Sequence, residues 1–172
     1  IRQLLGSNHK ITEIKRNKIN VRWKNVYRLQ IGSKEIFSDL LKIGLTPAKS
    51  KTVKLVKVPK KYFNCFVRGY FDGDGSISSG TYGRKDRKSK KYVILSRFTS
   101  GSSVFLKDLL ERLQKEAGIV GGFICAKNRA FDLVLAAKNS IKLFYFMYND
   151  LSEGIFLERK YYKFKNSINR LV

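Results

Sequence analysis

The twelve residues from Phe66 to Ile77, FVRGYFDGDGSI, constrain this chain most, because an apolar helical pattern runs there directly into a turn carrying two carboxylates. Upstream, Pro59 is a favourable first helical residue, and Phe63, Phe66, Val67 and Tyr70 recur at helical spacing. Cys65, Gly69 and Gly73 lie four apart. Such a stripe of small residues costs helix propensity and makes sense where a second helix must approach the backbone closely. Asp72-Gly73-Asp74-Gly75 then ends the helix, with glycine expected to supply the positive φ of a helix terminus. Two acidic groups at a helix C-terminus oppose the macrodipole, a local cost without an evident structural return. An EF-hand loop starting at Asp72 requires glycine at its sixth position and glutamate at its twelfth, but Ile77 and Gly83 stand there. Two readings remain: a solvated turn after a core helix, or a hard divalent cation held by few protein oxygens and completed by water or phosphate, as Mg²⁺ prefers.

Charge narrows the choice of partner. The 172 residues hold 36 Lys and Arg against 13 Asp and Glu, a formal net charge of +23, far beyond what solubility requires. A polyanion is the natural partner. A membrane surface is the competing one, yet the sequence shows neither a basic amphipathic helix nor a lipidation signal, so nucleic acid is favoured. No stretch approaches the roughly 18 uninterrupted apolar residues of a membrane span, and the charged opening segment does not read as a signal peptide. The two cysteines, Cys65 and Cys125, offer no disulfide framework or C-x-x-C pair. They read as small core fillers in a reducing, intracellular protein. His9, the only histidine, sits in a turn-like stretch and reads as structural or exposed.

Along the chain, residues 1–11 read as the tail of a helix leading into a strand. Ile11, Ile14, Ile19, Val21, Trp23, Val26, Leu29 and Ile31 nearly alternate and predict a basic hairpin, whose polar side carries Lys15, Arg16, Lys18, Arg22 and Lys24. Ser33 to Gly44 predicts a capped helix. After a linker and the motif helix, residues 76–100 predict two strands around a basic loop with Arg84, Lys85, Arg87, Lys88, Lys90 and Lys91, opposed only by Asp86. Residues 102–118 predict an amphipathic helix, Gly118–Leu135 two more strands, Lys138–Tyr148 a helix, and Leu157–Leu171 a last basic helix.

The segment V-R-G-Y-F-D-G-D-G resembles the signature helix of the LAGLIDADG homing endonucleases, with Val67, Gly69, Asp72, Asp74 and Gly75 on the motif and Arg68 where the family name has alanine. The resemblance implies an α+β fold of α-β-β-α-β-β-α halves, whose curved antiparallel sheets lie along double-stranded DNA with a long target site. It implies a site-specific, metal-dependent endodeoxyribonuclease using Mg²⁺ or Mn²⁺. In that family the signature helices pair through small residues, which assigns Cys65, Gly69 and Gly73 to a helix interface. The second acidic residue binds the metal, so the resemblance assigns catalysis to Asp74, joined by the backbone carbonyl of Gly73. A basic residue near the scissile phosphates is also implied; Lys138 and Lys34, at strand-to-helix junctions, are the candidates. Outward sheet residues of either parity are candidates for base contacts, with Arg97 and Lys127 as readers of guanine and the Arg84–Lys91 loop on phosphate.

The pattern from Tyr27, YRLQIGSKEIFSDLLKIG, resembles that from Phe131, FDLVLAAKNSIKLFYFMY, with Lys34 falling on Lys138, an offset of 104 residues. Residues 56–172 are therefore expected to form a complete half, and residues 1–55 the rear part of another whose motif helix is absent. A counterpart of Asp74 is then expected roughly 30 residues before Ile1 if the halves keep the same spacing, and the exposed motif helix favours self-association. A non-cleaving protein of the same fold, an intron RNA maturase or a DNA-binding regulator, is the alternative reading, and an intein endonuclease domain is a third.

Overall fold

Beyond residue 59 the chain forms helix, strand, strand, helix, strand, strand, helix, in the order expected, and one further helix follows. The computed structural model describes residues 2–3, 5–83, 90–149 and 155–171. Arg84, Lys85, Arg87 and Lys88 lie outside the described residues. The chain divides into two compact units, Ile1–Lys42 and Ile43–Val172. Residues 43–55, grouped with the first half by sequence, thus belong to the second unit.

In the first unit, β1 (Ile11–Ile14) and β2 (Val26–Leu29) pair antiparallel, Ile11 opposite Leu29 and Ile14 opposite Val26. The strands are shorter than the apolar alternation suggests. Side chains compete with the ladder for backbone groups: Asn20 Oδ1 accepts from the Arg22 amide at 2.9 Å, leaving Ile19, Val21 and Trp23 exposed in the connection. The opening segment is a pair of turns and not a helix tail, with Gly6 at φ +55° donating to the Gln3 carbonyl. α1 (Lys34–Lys42) begins as expected, the Ser33 hydroxyl accepting from the Ile36 amide at 3.2 Å. None of the described residues in this unit is buried.

The second unit has one antiparallel sheet with helices on one face. α2 (Lys60–Asp74) leads without a loop into β3 (Gly75–Gly83), and β4 (Lys90–Ser100) returns beside it. α3 (Ser103–Ala117) starts where Ser102 Oγ accepts from the Phe105 amide and stops at Gly118, whose φ of +61° ends the helix. β5 (Phe123–Lys127) and β6 (Ala130–Ala136) form a hairpin, followed by α4 (Ala137–Tyr148) and α5 (Glu158–Asn169). The strand order is β3-β4-β6-β5.

Alternation decides which side is core. Ile94 and Phe98 of β4 and Leu133 and Leu135 of β6 are buried beneath Phe63, Val67 and Phe71 of α2, Leu106, Leu109 and Leu113 of α3, Leu143 and Met147 of α4, and Phe164 of α5. Serines tie the layers together where apolar contact gives out. Ser140 Oγ donates to the Leu135 carbonyl and meets Ser96 Oγ at 2.9 Å, and Ser79 and Ser167 hydroxyls meet at 2.8 Å between β3 and α5. The cysteines correct the sequence reading, since neither fills the core: Cys65 is exposed and Cys125 only half-buried.

Candidate active site at the end of the motif helix

The last turn of α2 is aimed by its apolar face. Phe71, fully buried, packs edge-on against Phe98 and beside Phe164. With Phe71 facing inward, the 100° step of the helix turns Asp72 toward α5 and leaves Gly73 and Asp74 exposed.

Gly75 overturns the expected reason for the glycines. Its φ is −80° and its ψ 158°, extended backbone, and Gly73 is not among the residues of positive φ. What Gly75 supplies is space. A Cβ there would lie 2.6 Å from the Phe71 carbonyl oxygen and 2.7 Å from its Cα. The chain thus passes from helix to strand in one step, folding back against the preceding turn.

The two carboxylates of the motif have different surroundings. Asp72 Oδ2 accepts from the Leu157 amide at 2.9 Å, tying α2 to the start of α5. Asp72 Oδ1 and the Tyr148 hydroxyl are both buried without a well-formed hydrogen bond. Burial pushes the Tyr148 phenol up, and the Asp72 charge adds to the shift. The Asp74 carboxylate, by contrast, is exposed and has no hydrogen bond or ion pair with another described side chain. It borders a cavity of about 510 Å³ lined also by Lys49, Ser50, Phe66, Tyr70, Thr99 and Phe105. Tyr70, whose hydroxyl donates to the Thr99 carbonyl at 2.6 Å, is pushed up to about 12, chiefly by burial, with the Asp74 charge contributing. A larger, open groove lies beside Lys60, Lys61 and Asn64; ten residues of helix, roughly 15 Å, separate Asn64 from Asp74.

As a metal site, Asp74 offers hard oxygen donors with no competing side-chain partner among the described residues, and Gly73 offers a carbonyl. Among the described residues no group of three His, Cys, Asp or Glu side chains gathers. Such a sparse set fits Mg²⁺, which retains several waters and takes one or two carboxylates. The Gly73 carbonyl is shared, however, since it already accepts from Lys160 Nζ at 3.3 Å.

The small-residue stripe is open. Cys65, Gly69 and Gly73 are exposed, and a Cβ built at Gly69 or Gly73 would meet nothing within 4 Å. On the sheet, alternation settles the parity left open by the sequence. Ser76 and Ser78 of β3, Lys91, Leu95 and Arg97 of β4, Asp132 and Val134 of β6, and Cys125 and Lys127 of β5 share the face away from the helices. Arg97 donates to Ser78 Oγ at 2.7 Å. Lys127 is paired with Asp132 at 3.2 Å, and Thr99 donates to the same carboxylate, so Lys127 is held by protein. Lys90 and Lys91 are exposed.

Lys138 is exposed in the first turn of α4, with no hydrogen bond or ion pair to Asp74. In the first unit, Lys34 opens α1, and Lys15, Arg16, Lys18, Arg22 and Lys24 are exposed around the hairpin. His9 is exposed, its Nδ1 2.8 Å from Ser7 Oγ.

Sequence reasoning missed three residues around the motif. Arg68 is 6% exposed and donates to the Met147 carbonyl at 3.2 Å. Tyr148 faces Asp72, and Lys160 reaches the end of α2 from 86 residues downstream. A lysine amid the apolar positions of α5 was the only available signal.

No protein-family model matches the chain, and no curated protein matches it. Solved structures do resemble it. The homing endonuclease I-CvuI, in complex with the I-CreI target, superposes with a TM-score of 0.49 at 15% identity over 65% of this chain and 67% of that one. The homing endonuclease I-TnaI gives 0.46 at 18% identity over 63% and 70%. The LAGLIDADG homing endonuclease I-SmaMI, bound to cleaved DNA, gives 0.46 at 19% identity over 82% of this chain but 44% of its own. The likeness is one of chain path.

Proposed function

We propose that this chain is a metal-dependent, site-specific endonuclease of double-stranded DNA, or a part of one, with Asp74 as its reactive carboxylate. The observation that carries this reading is the division of labour in the motif: Asp72 is tied to α5, whereas Asp74, at the exposed end of the helix, has no hydrogen bond or ion pair with a side chain among the described residues. A structural turn gains nothing from an unpaired anion at the negative end of a helix.

In this reading Asp74, with the Gly73 carbonyl, would hold Mg²⁺ or Mn²⁺. Such an ion lowers the pKa of bound water and stabilises charge on the phosphoryl oxygens. Residues of this chain do the rest. The exposed sheet face lies in the major groove, which admits β-strands, with Arg97 toward base edges and Lys91 and the 84–90 loop on phosphates. Lys138 and Lys34 would stand near the scissile phosphates. The stripe of Cys65, Gly69 and Gly73 would receive a second motif helix, with residues 1–42, the first compact unit, as the rear of a first half. The non-cleaving alternative is favoured by the ammonium of Lys160 on the Gly73 carbonyl, which competes with a cation there.

The test is incubation with a randomised duplex library in Mg²⁺ or Mn²⁺ and sequencing of the ends produced. Scission at a defined site by the wild type, lost in Asp74→Asn while DNA affinity stays within about tenfold, is the expected result. Duplex bound but never cut, or cut equally by Asp74→Asn, overturns the proposal.

A further inference from the structure

Helix ends leave their last four carbonyls without intrahelical partners. For α2 these are Phe71, Asp72, Gly73 and Asp74. The usual remedy is a glycine of positive φ that folds the chain back over the carbonyls, and α2 lacks it because Gly75 turns directly into β3. The Gly75 amide covers the Phe71 carbonyl. Of the other three, the Asp72 and Gly73 carbonyls are met from another helix. Lys160 Nζ donates to the carbonyls of Phe71 at 2.8 Å, Asp72 at 2.8 Å, Gly73 at 3.3 Å and Gly75 at 2.6 Å.

Three ammonium protons serve four acceptors spanning the last helical turn and the first strand residue. Lys160 is 7% exposed, so these charge-assisted bonds stand out of water, where they are stronger than at a surface. The grip is reciprocal, because Asp72 Oδ2 accepts the Leu157 amide that precedes α5. The end of α2 and the start of α5 therefore cap each other. Asp74 lies inside the span that Lys160 closes, between the Gly73 and Gly75 carbonyls, and among the described residues no side chain hydrogen-bonds or ion-pairs with it.

We propose that Lys160 is a positioning residue for Asp74: its buried ammonium locks the last turn of α2 to the first residue of β3 and so fixes the direction in which the Asp74 carboxylate emerges. Lys160 touches neither nucleic acid nor the reacting phosphate. The inference rests on the reading of Asp74 as the reactive group.

The geometry of this lock predicts a loss that general destabilisation does not reproduce. Lys160→Met removes the four bonds and keeps the length of the stem up to the ε position. Ile168→Ala, a buried site two turns further along α5, supplies a control of lowered stability away from the lock. Both are studied in the 172-residue chain well below their melting temperatures, by amide hydrogen exchange and by single-turnover cleavage beside DNA affinity. If Lys160→Met does not fold, Lys160→Gln, with two amide donors and no charge, replaces it.

In the Lys160 variant, exchange of the Gly75 amide should rise at least tenfold relative to Ile168→Ala, with the amides of the middle of α2 unchanged. Cleavage should fall at least tenfold relative to that control, with DNA affinity within about threefold. Equal exchange in the two variants overturns the lock. Faster exchange at Gly75 with undiminished cleavage overturns the positioning of Asp74. A wild type that cuts no DNA overturns the reading of Asp74 instead, and the exchange measurement then reports on the lock separately.

Discussion

Neutralising the two motif aspartates in turn should have unequal consequences for stability. Asp72→Asn keeps an oxygen for the Leu157 amide, 2.9 Å away, but removes the charge from that bond and from the neighbourhood of Lys160. Hydrogen bonds to charged groups contribute about 1.5–3 kcal/mol, and the amide brings two donors into a buried corner where Asp72 Oδ1 and the Tyr148 hydroxyl already lack a partner. A loss of about 2 kcal/mol follows, and for a unit of this size a Tm lower by about 6–10 °C.

Asp74→Asn is worked differently. The carboxylate is exposed and has no hydrogen bond or ion pair with another described side chain, and removing an anion from a helix C-terminus gains about 0.3–1 kcal/mol. The attraction between Asp74 and the Lys160 ammonium opposes this gain. The two nearly cancel, so Tm should stay within about 2 °C of the wild type. Thermal melts by circular dichroism at pH 7 measure both. A large drop for Asp74→Asn, or no drop for Asp72→Asn, would refute the assignment of the first aspartate to structure and the second to chemistry.

Further outcomes follow from the same geometry. Gly75→Ala should cost about 2–3 kcal/mol, because the new methyl group meets the Phe71 backbone; urea melts showing under about 0.5 kcal/mol would remove the close-approach argument. Tyr70→Phe should lose about 1 kcal/mol at pH 7 with the bond to the Thr99 carbonyl. Since burial raises the Tyr70 phenol to about 12 from an unfolded value near 10, its contribution is complete below pH 10 and disappears as pH rises toward 12. Stability of the wild type should therefore fall more steeply across that window than stability of the variant, as alkaline melts can check. If the basic surface engages duplex DNA, log K against log[salt] should have a slope of about −6 to −10; a slope shallower than about −3 means that most of the charge is solvated. Alanine at Lys90 and Lys91 together should weaken binding to specific and random duplexes alike.

Much of the order of elements was legible because local rules set it. Ser33 and Ser102 mark helix starts by the hydroxyl each offers to an amide three residues on, and Gly118 marks an end through its positive φ. Residues 76–100 and Gly118–Leu135 read as two pairs of strands, although which face is exposed required the helices to be in place. The hairpin was overextended, since apolar alternation through Ile19 and Trp23 gives no account of the asparagine turns that interrupt it. The glycines of the motif were read for conformation, whereas Gly75 is needed for clearance, a property of two segments together.

The sequence by itself determined that α2 ends in an acidic turn, that two carboxylates lie two residues apart there, and that a polyanion suits the charge. Those are facts about neighbours along the chain. Tertiary structure alone decided which carboxylate is free, because that depends on Leu157, Tyr148 and Lys160, more than 70 residues away in sequence. A buried ammonium is costly unless its acceptors converge on it, and only the folded chain brings four carbonyls to Lys160 Nζ. No periodicity in α5 encodes where those carbonyls will be.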